Sequence, residues 1–170
     1  MIRLIGAVLL AGGSSALGFG AVAHLEGRVR DLRDLVAGLE VMERELDWRM
    51  PPLPELLECA AQGTGGRAAR FFRLCARGAS HLNGRPFRQI WLEGEEASGL
   101  LLEETDRLLL ERLGGVLGRY DGENQRKALG EAVRRLEERR LQAQSQRQRL
   151  GRVYGTLGVA AGALLIILLI

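Results

Sequence analysis

Charge is missing from both ends of this chain, and no other feature restricts the possible folds so strongly. From Leu4 to Ala23 there is no Asp, Glu, Lys or Arg, a run of about 20 residues, the length a helix needs to cross about 30 Å of hydrocarbon. From Val153 to Ile170 a second uncharged run of about 18 residues lies near the lower limit for a span. Its closing stretch, Leu164 to Ile170, is apolar on every side and has no face to offer water. The sequence therefore predicts transmembrane helices over residues 4–23 and 153–170, with a helical domain over residues 24–152 between them.

The first run also has the outline of a signal peptide, with a basic start at Arg3 and Ala21-Val22-Ala23 as an A-x-A site. Its length, and Arg28, Arg30 and Arg33 just beyond it, favour a retained anchor over a cleaved signal. Arg147, Arg149 and Arg152 flank the second run on the same side. By the positive-inside rule the middle domain is expected in the cytoplasm of a cell-membrane protein, with both termini outside.

The middle domain reads as helix throughout. Apolar residues recur at Val29, Leu32, Leu35, Leu39, Met42 and Leu46, in steps of three and four, so one helix can run from the first span to about Met50. Pro51-Pro52 ends it, and Pro54 opens a short helix through Leu56, Leu57 and Ala60. After the breaker Gly63 to Gly66, helices are expected over Arg67–Arg77, with Phe71, Phe72 and Cys75 inward, and over Phe87–Leu92, with Ile90 and Trp91 in the core. Gly99 is expected to start or precede the next helix, which carries Leu101, Leu102, Leu108, Leu109 and Leu113 and closes around Leu113 to Gly118. From Asp121, a good N-cap, a helix with Leu129, Val133 and Leu136 inward can continue to the C-terminus. The class is all-α: a helical bundle between two terminal membrane helices, with long first and last helices.

A net charge of +3 does not make this a nucleic-acid binder, and none is expected as a partner. All 21 acidic residues lie between Glu26 and Glu138, interleaved with arginines, and no aromatics are placed to stack on bases. After Glu138 only basic charges remain. Arg147, Arg149 and Arg152, which lead into the last span, suit anionic lipid headgroups. His24 and His81 lack partners at metal-ligand spacing, no P-loop is present, and no nucleophile–base set is identifiable. Adjacent acids such as Glu95-Glu96, Glu103-Glu104 and Glu137-Glu138 point about 100° apart on a helix, so a solvated face is expected of them. Neither a cofactor nor a metal is expected, and the chain reads as a non-enzyme. Cys59 and Cys75 read as free thiols.

Small residues four apart let helices approach closely in lipid. Gly12, Ala16 and Gly20 form such a line in the first span, and Gly151 with Gly155 and Gly158 with Gly162 form two in the second, so packing of the spans on each other or on a partner is expected. Gly114 and Gly118 stand four apart at an expected helix end, with Asp121 as the next N-cap and Gln125 on the same face as Asp121. These four residues form either a structural corner or a partner-binding one.

Several strings resemble the stage III sporulation protein AB family of endospore-forming bacteria. They are Leu17-Gly18-Phe19, Leu32-Arg33-x-Leu35, Pro52-Leu53-Pro54-Glu55 and Tyr154-x-x-Leu157-Gly158-x-x-x-Gly162, and the most specific is Leu113-Gly114-x-x-Leu117-Gly118-x-x-Asp121-x-x-x-Gln125. The resemblance covers essentially the whole chain, although Gly63 to Gly66 and the loop near His81 carry none of it. It implies a membrane platform component of a secretion-like channel complex joining mother cell and forespore, with a cytoplasmic part similar to type II secretion platform proteins. The implied partners are other membrane proteins of that complex and a cytoplasmic secretion-type ATPase. A membrane-anchored sensor or signalling adaptor is the alternative reading.

Overall fold

A computed structural model describes the backbone of residues 2–82, 84–117 and 122–169, and the side chains of residues 23–82, 84–117, 122–150 and 153. Helices α1 (Ile2–Trp48), α2 (Leu53–Gln62), α3 (Gly66–Ser80), α4 (Phe87–Ser98), α5 (Glu104–Val116) and α6 (Gly122–Leu169) make up the described chain, and among the described residues there is no strand. The protein is all-helical, with the first and last helices the longest. Among the described residues, no helix is long and apolar enough to cross a membrane. The side chains of the expected spans lie outside the described residues, apart from Ala23 and Val153, both exposed.

The boundaries follow backbone chemistry. Helix α1 stops ahead of Pro51-Pro52, and Met50 turns the chain there in the left-handed region at φ 41°. Proline in the first turn of α2 gives up an amide that would have no helical partner. Two boundaries depart from the sequence expectation. Helix α4 runs on from Leu92 to Ser98 through Gly94, and only then does Gly99 close it, in the left-handed region at φ 74°. Gly99 therefore ends α4 and precedes the next helix, and Leu101 and Leu102, expected in that helix, lie in the connection. Helix α5 begins at Glu104, where Glu103 and Asp106 cap it reciprocally, each side chain accepting from the other's backbone amide.

The chain forms two compact units, Arg28–Leu141 and, together, Met1–Gly27 with Gln142–Ile170. In the first, Leu32, Leu35, Leu39, Met42 and Leu46 bury the predicted stripe of α1, while Leu129 and Leu136 bury that of α6. Val29 and Val133, expected inward, are only half-buried. Within this unit α1 and α6 run antiparallel: Asp47 meets Arg126 at 3.2 Å, and Glu43 faces Gly130. The short helices complete the core. Phe71 lies against Phe72 and edge-on to Trp91, with ring centroids 5.1 and 4.6 Å apart, and the Trp91 indole N–H donates to the Leu110 carbonyl at 2.8 Å. In the second unit, Arg147 pairs with Glu26 at 2.6 Å.

Candidate functional site

Two buried centres stand out in the domain. The first is apolar and is made possible by glycine. Trp91 is fully buried, and Gly114 on α5 lies so close to its indole that a Cβ there would collide with the ring. Gly38 on α1 admits the Phe72 ring in the same way, and Gly94 faces the Cys75 sulfur, which an added Cβ would approach to 2.7 Å. Two aromatic rings and a thiol thus sit close to helix backbones, at a density only missing side chains permit. Cys75 is buried and its thiol pKa is pushed well above the ordinary range by desolvation, so it is an inert core residue.

The second centre is ionic. Asp106, in the first turn of α5, has no exposed surface, and Arg28 on α1 is 2 % exposed. Arg28 donates to Asp106 Oδ2 from Nε at 3.0 Å and from Nη2 at 2.8 Å, and its Nη1 reaches Glu103 Oε1 at 2.6 Å. From α6, Arg139 donates through Nε to Asp106 Oδ1 at 3.1 Å and through Nη2 to Glu103 Oε2 at 3.2 Å and to the Thr105 hydroxyl. Asp106 Oδ2 also accepts the Glu103 backbone amide at 3.0 Å. Two arginines and two carboxylates balance in charge, and no described buried side-chain N or O atom is left without a partner. That is the condition under which buried charge is tolerated. Nearby, the almost fully buried Asp31 accepts from Arg67 Nε and from the Leu101 amide, both at 2.8 Å, which ties the connection before α5 to α1.

This cluster corrects one expectation and qualifies another. Arg28 is not a free charge beside the membrane run but a core residue. Of the adjacent acids, Glu96, Glu103, Glu104 and Glu138 are exposed, as expected of a solvated face, but Glu103 also reaches into the cluster. Glu137 pairs with Arg140 at 2.5 Å, a hydrogen bond that lowers its pKa, and Glu95 is the exception. Glu95 is 9 % exposed, and burial raises its pKa against the opposing pull of Arg107 at 3.5 Å. The members of the cluster lie far apart in sequence, Arg28 and Asp106 by 78 positions, so no local pattern reveals it as a whole. One local signal was present: Glu103 and Asp106 have capping-box spacing.

Of the corner residues, Gly114 lies against Trp91 and Gln125 is half-buried on α6, while Gly118 and Asp121 lie outside the described residues. Gly12, Ala16 and Gly20 belong to α1, and Gly151, Gly155, Gly158 and Gly162 to α6; what surrounds them lies outside the described residues. Arg147 is held by Glu26, Arg149 is exposed, and the Arg152 side chain lies outside the described residues.

The fold and its two centres define a small all-helical domain whose first and last helices run on well beyond it. A family model described as stage III sporulation protein AB matches residues 3–170, and the chain belongs to that family, which is one of sporulation proteins. Stage III sporulation protein AB of Bacillus subtilis (strain 168) is 25% identical over 176 residues, covering 99% of each chain. A solved structure of stage III sporulation protein AB shares the fold, with a TM-score of 0.64 at 21% identity over 72% of this chain and 97% of that one.

Proposed function

We propose that the chain is a non-enzymatic membrane platform of a sporulation-specific, secretion-like channel complex that links mother cell and forespore. Membership of a sporulation family over residues 3–170 is the observation that carries this reading. The uncharged runs at residues 4–23 and 153–170 anchor the protein, and the domain over residues 24–152 faces the mother-cell cytoplasm. A core fixed by close-packed aromatics and a neutralised ion cluster suits a rigid scaffold.

In this reading the spans pack through Gly12, Ala16 and Gly20 and through Gly151, Gly155, Gly158 and Gly162. Arg149 and Arg152 meet anionic headgroups, with Arg147 shared between them and Glu26. Gly114 fixes the corner structurally against Trp91, and Gly118, Asp121 and Gln125 are where other membrane proteins of the complex and a secretion-type ATPase dock.

The test is genetic and biochemical. Deleting the gene in a sporulating host should arrest late forespore development, and the tagged protein should co-purify with other membrane proteins of sporulating cells while hydrolysing no ATP. Normal spores from the deletion strain would overturn the proposal. Alkaline phosphatase inserted between Leu82 and Arg85 should be inactive, and a strongly active fusion would reverse the orientation.

A further inference from the structure

Most arginines of the domain are matched with carboxylates, but α3 breaks the pattern. Its sequence, Gly66 to Ser80, contains four arginines and no acid, whereas each of the other helices carries acidic residues. Arg67 is occupied by Asp31. Arg70, Arg73 and Arg77 are exposed, and no described carboxylate lies within ion-pair distance of them. At 100° and 1.5 Å per residue they fall within about 60° of the helix circumference and span about 10 Å. Other exposed arginines of the domain without an ion pair among the described residues, Arg30, Arg44, Arg112 and Arg134, are scattered over three helices.

We infer that Arg70, Arg73 and Arg77 form a docking stripe for an acidic helix of a protein partner, one with carboxylates three and four residues apart along one face. Charge complementarity sets the sign of the partner, and the spacing sets its form: carboxylates at i, i+3 and i+7 of a second helix repeat along the same length. An apolar foothold lies beside the stripe. Leu74, next to Arg73 in sequence, lines a groove of about 270 Å³ with Gly78, Ile90 and Ala97, and Arg85 holds Glu93 at its rim. A partner side chain seated there would fix the register that charge alone leaves loose.

A lipid surface fits less well. A membrane-surface helix needs a free apolar face to insert, and Phe71, Phe72, Cys75, Ala76 and Ala79 of α3 are all spent on the core. Single-stranded nucleic acid would call for exposed rings, and the described aromatics next to α3 are buried. The inference stands on this surface alone and is separate from the platform proposal.

The experiment uses the full chain in nonionic detergent micelles. The probe is a fluorescein-labelled helical peptide of about 18 residues with glutamates at i, i+3 and i+7 and one leucine beside them. The control is a peptide of the same composition with its glutamates spread around the helix. At about 0.1 M salt, where charges more than about 10 Å apart are screened, anisotropy should show the first peptide binding at least about tenfold more tightly than the second. Arg70→Gln with Arg73→Gln and Arg77→Gln should abolish that preference, and Arg73→Glu alone should weaken binding at least about fivefold. Arg30→Gln with Arg44→Gln and Arg134→Gln, an equal loss of charge elsewhere, should leave binding unchanged. Equal affinity for the two peptides, indifference to the α3 variants, or an α3 effect confined to phosphatidylglycerol-doped micelles or to an oligonucleotide would each overturn the inference.

Discussion

The two buried centres of this domain do the same work by opposite means. Around Trp91, three helices converge because glycine lets a backbone touch a ring, and the attraction is non-directional burial. Around Asp106, three helices converge on one carboxylate, and the attraction depends on every donor and acceptor being matched. The difference lies in tolerance. An apolar centre loses stability in proportion to the volume removed, whereas an ionic centre fails when one member is neutralised while its shape is kept.

Unfolding of the full chain in micelles would sharpen that contrast. Trp91→Ala should cost about 3–5 kcal/mol by circular dichroism, as a large cavity opens among Phe71, Phe87 and Leu110. A near-neutral change would place Trp91 outside the cooperative core. Asp106→Asn keeps the shape but leaves the Arg28 guanidinium buried opposite a neutral amide, and should cost about 1.5–3 kcal/mol. If that variant were as stable as the parent, the ionic centre would be decorative. Gly38→Ala should cost about 1–3 kcal/mol by forcing the Phe72 ring aside.

The smallest effect concerns Glu95. Its raised pKa means that its contribution to stability is fully present below the unfolded carboxylate value of about 4.3 and is lost as pH rises through the folded value. Glu95→Gln should therefore raise neutral-pH stability by less than about 1 kcal/mol and flatten its decline above about pH 4. Loss of stability at pH 7 would mean that the contact with Arg107 outweighs the cost of burial. Trp48, 88 % exposed, contributes fluorescence unrelated to the core, so a Trp48→Phe background leaves Trp91 as the sole indole reporter.

Much of the apolar centre was legible in the sequence. The three-and-four spacing from Leu32 to Leu46 and the inward Phe71, Phe72, Cys75, Ile90 and Trp91 follow from local periodicity. The ionic centre was not, because Arg28 and Asp106 are 78 positions apart and no local rule pairs them. The flanking position of Arg28 suggested a topological signal, and folding gave it another use. The misplaced boundaries have a similar origin. The apolar pattern stops at Leu92, but the helix continues because Gly94 lets it pack on Cys75, and Leu101 and Leu102 resemble helix until the cap at Glu103 sets the start of α5.

Sharing Asp106 among three helices has a mechanical consequence. Sliding α1 or α6 by one turn, about 5.4 Å, would pull Arg28 or Arg139 off the carboxylate and leave the buried Asp106 short of a charged partner. The same displacement would disturb the oxygens that cap α5. Load applied along either long helix is therefore met, beyond the buried stripes, at one shared side chain, which serves as a bolt of the domain.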